Sequence, residues 1–304
     1  MSRNILEELY ELYKRNFLFT VRAKETVMRI LQNKENIILE HRDEAEKLIG
    51  VAVVNQNTLL LLCVDAEYRN RGIGDKLLSL SEDTVRDNGF NEIVVGNGFD
   101  YIAPGIPTSR RYCDAENEAL YPGLDENASD FFTKRGYAHS WGCNCFDMRL
   151  SLSAFQEPPH SLGDTVEGIT YRWAVPEDMG QVCACTDDAF PDFTVFYQNE
   201  ELYATGSDTR VLVASSGETI VGTLIVGPED IGGGLGSLGC TTVRHAFRGK
   251  HIAVNLVNIG TKHLKDLEFK DAFLGYTYTG LDHMYGYSGY KICAYFMMAQ
   301  KTLA

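Results

Sequence analysis

The sequence predicts an α/β (α+β) chain built as two copies of one fold, each a sheet flanked by helices. Three observations lead there: a strand–turn–helix unit that occurs twice, matching elements around each copy, and a length of 304 residues, which suits two domains of about 150. The first unit starts at "TLLLLCV" (58 to 64), an apolar run of strand length. It passes through "EYRNRGIG" and enters "DKLLSLSEDTVRDNG" (75 to 89), where apolar residues recur at helical spacing up to Gly89. The second, "LGCTTVRHAFRGKHIAVNLVNIGTKHLKDLEF" (238 to 269), repeats this layout. Val64 falls on Val243, Tyr68 on Phe247, Arg69 on Arg248, and Gly72-Ile73-Gly74 on His251-Ile252-Ala253.

The flanking elements follow the same order. In the first half "MSRNILEELYELYKRN" is an amphipathic helix, and "NEIVVGNG", "ASDFFTKRGY" and "WGCNCFDMRL" read as strand, short helix and strand. In the second half "GITYRWAV" is a strand and "PEDMGQVCACTDDAF" a helix. "TRVLVASSGETIVGTLIVG" gives two alternating strands joined at Ser216-Gly217. "DAFLGYTYT", "LDHMYGYSGY" and "KICAYFMMAQ" then supply strand, short helix and last strand. Residues 151–167 carry a Pro pair and turn residues, so the expected division is 1–150, a linker at 151–167, and 168–304.

Composition narrows the class. Apolar residues make up 44% and charged residues 23%, as in ordinary soluble globular proteins. No apolar run approaches the roughly 20 residues that span a bilayer, and the N-terminus does not read as a signal peptide, so a cytoplasmic protein is expected. The net charge of −14 repels nucleic-acid backbones and anionic membranes and favours a cationic substrate. An anionic ligand then needs a local basic patch, which Arg69 and Arg71 supply. None of the eight cysteines forms a CxxC pair, and reduced, mostly buried thiols are expected in place of a metal site.

A strand, a glycine-bearing turn and a helix N-terminus together make an anion cradle. The first N–H groups of the helix lack partners, the helix dipole adds positive potential, and Gly72 and Gly74 let a phosphate approach the main chain. Where His251 replaces the first of these glycines, a helical φ/ψ would need no glycine, so the second cradle is expected to keep its backbone donors.

The order of elements, with the cradle in the same place twice and F/Y-x-x-x-G-Y following each (Phe132 to Tyr137, Tyr285 to Tyr290), resembles the GNAT superfamily of acyl-CoA-dependent N-acyltransferases. The resemblance covers nearly the whole chain, once per half. It implies two tandem GNAT folds, each a mixed, mostly antiparallel central sheet flanked by helices, with acetyl-CoA as acyl donor and no metal. The cofactor's pyrophosphate would lie on Arg69, Asn70, Arg71, Gly72, Ile73 and Gly74, with Val64 offering its backbone to the pantetheine arm. In the second half the same positions are Val243, Arg248, Gly249, Lys250, His251, Ile252 and Ala253, a poorer match.

GNAT enzymes commonly place a tyrosine four residues before the Gly-aromatic pair as general acid. That position is Tyr285 in the second half and Phe132 in the first, so the acid is expected in the second half. Asp282, one turn ahead of Tyr285, is the candidate base, with Tyr287 as alternative acid. The structural alternatives are a packed aromatic for Tyr285 and a helix N-cap for Asp282.

The insertion at 97 to 129 is rich in Pro, Gly, aromatics and acids. Its Tyr101, Asp114 and Tyr121, with Tyr112 and Glu116, suit a cationic ligand or the packing of one half on the other. The "PGIP" and "YPGL…FFTKRGY" pattern and the end "GYTYTGLDHMYGYSGYKICAYFMM" look similar to bacterial glucosamine/glucosaminide N-acetyltransferases, which implies acetylation of an amino sugar. Aminoglycosides, other small amines, and a non-catalytic acyl-CoA-binding regulatory protein are the alternatives. Partners other than a small amine are not expected, and two GNAT halves allow a monomer that is a pseudo-dimer.

Overall fold

A computed structural model describes residues 5–17, 22, 24–96, 101–108, 128–156, 158–230, 234–278 and 280–303. The chain forms two compact units: Met1–Asp147 with Ile292–Ala304, and Met148–Lys291.

In unit 1, helices α1 (Ile5–Asn16) and α2 (Lys24–Leu31) precede three antiparallel strands, β1 (Asn36–Arg42), β2 (Leu48–Asn55) and β3 (Thr58–Val64). Helix α3 (Ile73–Asp87) leads to β4 (Glu92–Val95), which runs parallel to β3. After the short β5 (Ile106–Pro107) come helix α4 (Ser129–Thr133) and β6 (Ala138–Ser151). Two apolar layers hold the sheet. One packs Ile73, Leu77, Leu78 and Val85 of α3 on it, and the other packs Leu9, Leu12 and Tyr13 of α1 on the opposite face. Each such side chain contributes about 1.5–3 kcal/mol by leaving water.

In unit 2, the hairpin of β7 (Thr165–Val166) and β8 (Ile169–Trp173) is followed by helices α5 (Met179–Ala189) and α6 (Thr194–Tyr197). Strands β9 (Arg210–Ser216), β10 (Thr219–Asp230) and β11 (Leu235–Val243) are antiparallel. Helix α7 (Ile252–Asp266) leads to β12 (Asp271–Tyr278), parallel to β11, and then to helix α8 (Asp282–Gly286). The segment expected as a linker thus supplies β7, whose Thr165 and Val166 pair with Thr170 and Ile169.

The repeat extends to side-chain level. A Cβ on Gly50 of β2 would stand 2.9 Å from Ile73 Cγ2 and 3.0 Å from Leu77 Cδ1, and one on Gly222 of β10 would stand 3.0 Å from Ile252 Cγ2 and 3.1 Å from Leu256 Cδ1. In each unit a glycine lets the central helix lie directly on the sheet. Behind that helix, Tyr137 donates to Glu82 (3.1 Å) and Tyr290 shares a hydrogen bond with Thr261 (2.8 Å), again at matching positions.

The last strand departs from the expected order. β13 (Lys291–Thr302), read from sequence as the end of the second half, pairs antiparallel with β4, setting Ala299 opposite Val95 and Thr302 opposite Glu92. Met297 and Ala299 join the core of unit 1, and Lys301 binds Glu82 at 2.8 Å. An apolar run carries no address in its own sequence, and the open edge of β4 offers a ladder to any strand that fits.

Among the described residues no helix is long and apolar enough to cross a membrane.

Candidate functional site

In unit 1 the strands that flank the cradle part company. Among the described residues β3 and β4 pair at Thr58–Val94 and Leu59–Val95, the N-terminal end of β3. Gly50 and Val64 face each other without exchanging hydrogen bonds, because Asp65 N–H donates to Ile49 C=O just beyond them. By the alternation of an antiparallel ladder, the backbone groups of Leu62 and Val64 therefore point away from β2, toward the side where β4 has turned off. A cavity of about 380 Å³ occupies this side. Leu59 to Val64, Val95, Ile106 and Phe132 line its apolar length, and Arg69, Asn70, Gly72, Gly74, Asp75 and Arg135 line its polar end.

The turn at the polar end has the shape that an anion site needs. Asn70 and Gly72 are left-handed (φ 61 and 79°), and Gly72 is the N-cap of α3, so the free N–H groups of the first helical turn open on the loop. Arg69 is fastened at its base: Nε donates to Val64 C=O (3.1 Å) and Nη2 to Asn16 Oδ1 (3.4 Å). Asn16 also accepts the Ala66 N–H (2.9 Å), which ties α1 to the turn. Next to it Arg15 holds Asp65 through two hydrogen bonds (3.1 and 2.8 Å). Burial alone would raise the Asp65 pKa, but Arg15 and Lys47 outweigh it and keep the carboxyl below the usual range. Arg71 lies over the Tyr68 ring, 5.2 Å from its centroid.

The counterpart in unit 2 repeats the backbone path. Gly249 and His251 are left-handed (φ 79 and 56°), Arg248 Nε donates to Val243 C=O (3.4 Å), and Lys250 lies 5.0 Å from the Phe247 centroid. The expectation of a helical conformation at His251 is corrected here: the position is left-handed in both units, and histidine adopts it at a steric cost of about 1 kcal/mol that Gly72 avoids. Ile252 and Ala253 begin α7 as Ile73 and Gly74 begin α3.

The neighbours differ. Where Asn16 accepts the turn's first N–H in unit 1, Asp188 accepts that of His245 in unit 2 (2.8 Å), and this hydrogen bond holds its carboxyl below the usual range. A negative charge therefore stands where unit 1 has an amide. β11 bulges at Cys240 and Thr241, and the chain's own tyrosines occupy both residues. Tyr197, fully buried, donates to Cys240 C=O (2.7 Å) and accepts from Thr223 (3.0 Å), while Tyr285 donates to Thr241 Oγ1 at 3.4 Å.

Of the other sequence-predicted residues, Tyr285 is buried, and burial raises its hydroxyl pKa. It packs edge-on to Tyr290. Asp282 accepts the Gly280 N–H (3.1 Å) at the start of α8, and Tyr287 is exposed. Tyr285 and Asp282 belong to unit 2, the cavity to unit 1. Tyr101 carries Arg22 over its ring at 3.9 Å, so one aromatic face meant for a cationic ligand already holds the protein's own cation. Asp114 and Tyr121 lie outside the described residues, as do Tyr112 and Glu116. The sequence reading missed Asn16, Phe131 and Arg135. The signal available was divergence between the halves, since Arg135 falls on Ser288 and Phe131 on Met284.

The model of the acetyltransferase (GNAT) family matches residues 6–99. Among solved structures, the chain is similar to a fungal multi-domain GH3 β-N-acetylglucosaminidase described as having a GCN5-related glucosamine N-acetyltransferase region. Identity is 18%, over 98% of this chain and 37% of that one, with a TM-score of 0.74. It spans only that 37% of the fungal protein's length. A GCN5-related N-acetyltransferase from Sphaerobacter thermophilus is 19% identical over 91% of this chain and 85% of its own (TM-score 0.64). A tandem GNAT protein from the clavulanic acid biosynthesis pathway is 13% identical over 88% and 84% (TM-score 0.62). No curated protein matches by sequence. The chain has the GNAT fold, a mixed and mostly antiparallel sheet flanked by helices, and residues 6–99 carry the family's sequence pattern.

Proposed function

We propose that the chain transfers an acetyl group from acetyl-CoA to the primary amine of a small substrate, and that acetyl-CoA lies in the cleft of unit 1. The observation that carries this reading is the cavity beside β3, where an unpaired strand edge, a left-handed turn, a helix N-terminus and Arg69 meet. These groups fit the ligand in kind. N–H groups of the first turn of α3 and Arg69 suit a pyrophosphate, and the backbone of Val64 and Leu62 suits the amides of a pantetheine arm. When bound, acetyl-CoA supplies a thioester whose carbonyl carbon the amine attacks, with the thiolate leaving.

Apolar Leu59, Leu61, Val95 and Phe132 keep water from the far end of the cleft. Phe132 donates no proton, but a leaving thiol with a pKa near 8.5 makes a tolerable anion and does not require a strong acid. A second reading places the transfer in unit 2, with Tyr285 as acid and Asp282 as base. The hydroxyl of Tyr285 beside the bulge of β11 favours it. The two readings separate on Tyr285→Phe: turnover stays near wild type if unit 1 is the active unit, and kcat falls with acetyl-CoA binding intact if unit 2 is.

The favoured acceptor is an amino sugar, glucosamine or a glucosaminide. The acidic balance of the chain, −14 at pH 7, attracts such an ammonium, and the fungal structure is described by a glucosamine N-acetyltransferase region. Thiol release from acetyl-CoA, followed with glucosamine, aminoglycosides and simple alkylamines, tests this. No release with amino sugars removes them as substrates, and binding of acetyl-CoA without release for any amine favours a non-catalytic acyl-CoA-binding protein.

A further inference from the structure

We infer that Arg135 is a second cationic arm of the cofactor site, meeting the pyrophosphate together with Arg69; this rests on the placement of acetyl-CoA in unit 1. Arg135 follows α4 and lines the same cavity as the cradle. Three polar contacts and one stacking contact hold its guanidinium. Nε donates to Asp75 Oδ1 (2.6 Å), and a second, short ion pair runs from Nη2 to the same oxygen. Nη1 donates to Phe131 C=O (2.6 Å), and the group stacks on the Phe131 ring, 3.8 Å from its centroid. A guanidinium has five N–H donors, and these contacts use three. Among the described residues the other two have no partner, and they are fixed in direction without further ordering cost, which is how arginine best meets a phosphate.

The surroundings favour a ligand over a purely structural role. Asp75 is the third residue of α3, where its carboxylate would oppose an anion held by the helix N-terminus, and Arg135 offsets that charge. Phe131 also closes on the cradle itself: a Cβ at Gly74 would lie 3.3 Å from its ring. None of this set exists in unit 2. The counterparts of Asp75, Phe131 and Arg135 are Val254, Met284 and Ser288, and the buried Ser288 hydroxyl has no hydrogen-bond partner.

The test compares Arg135→Ala and Arg135→Gln with wild type by titration calorimetry. The ligands are acetyl-CoA and S-acetylpantetheine, the same thioester arm without nucleotide or pyrophosphate. Loss of one charge-assisted contact to a phosphate should weaken acetyl-CoA binding about ten- to a hundred-fold and leave S-acetylpantetheine within about two-fold. Arg135→Gln, which keeps a neutral donor toward Asp75, preserves the fold if the alanine variant does not, as thermal melting shows. Unchanged acetyl-CoA affinity overturns the inference, as does an equal loss for both ligands, which would make Arg135 only a prop for the cleft. If wild-type protein binds no acetyl-CoA, the functional reading itself falls, and this inference with it.

Discussion

Compared residue by residue, the turn of unit 1 and its counterpart in unit 2 share a backbone path but not a neighbourhood. Both hold two left-handed residues two positions apart, an arginine bonded to the last strand carbonyl, and a second cation over an aromatic ring. Around the first stand an amide, a second arginine and an open strand edge. The first also has two carboxylates, Asp65 and Asp75, each held by an arginine. Around the second stand Asp188 on the turn's first N–H, Arg244 in the place of Asp65, uncharged residues in the places of Asp75 and Arg135, and two tyrosines bonded to the bulge. A glycine motif thus reports what the main chain can do, while the groups packed about it decide whether an anion gains from entering.

The largest expected effect breaks the comparison at the cradle. Arg69→Ala should weaken acetyl-CoA binding about ten- to a hundred-fold, and Arg248→Ala should leave it within about two-fold, with one ligand bound per chain by calorimetry. Two equivalent sites would erase the distinction. Next comes the tyrosine pair in unit 2. Tyr197→Phe removes the donor to the Cys240 carbonyl, while Thr223 keeps its hydrogen bond to Thr242, and should cost about 1–3 kcal/mol in urea unfolding, whereas Tyr285→Phe, losing one long hydrogen bond, should cost less than about 1.

The left-handed position gives a smaller and signed effect. Gly72→Ala should cost about 1 kcal/mol, and His251→Gly should recover about 0.5–1 kcal/mol, read from denaturation midpoints. Equal effects of the same sign would show that the two turns are not alike in backbone. The smallest effect is a pH dependence confined to unit 2. His263 packs edge-on against Trp173, and burial, helped by Arg210, lowers its pKa. Its folded form prefers to be neutral. Stability is therefore full above the unfolded pKa of about 6.5 and declines as pH falls from there toward the lowered folded value. Urea midpoints at about pH 8 and 5.5 should differ, and His263→Phe should reduce the difference.

Much of this was legible in the sequence because it is written in local pattern. "TLLLLCV", "DKLLSLSEDTVRDNG" and their echoes fix strand, turn and helix by spacing alone, and Arg69 and Arg248 mark equivalent places in the two turns. The left-handed turn at His251 was hard to read, since histidine is a much weaker sign of positive φ than glycine, and the glycine of that turn had moved to position 249. Arg135 escaped because its position depends on Asp75, sixty residues away in sequence. The partner of β13 escaped for a similar reason: "KICAYFMMAQ" fits the edge of any sheet of the right width, and only the tertiary structure selects β4.

That selection has a consequence during synthesis. β4 leaves the ribosome roughly two hundred residues before the strand that covers it, so most of unit 1 emerges before unit 2 yet the unit is complete only after unit 2 has been made. Until then its sheet has an uncovered edge beside the cleft, open to pairing with other chains. A stop codon near residue 290 would spare every residue of the cradle and still deprive the newly made protein of the strand on which β4 depends.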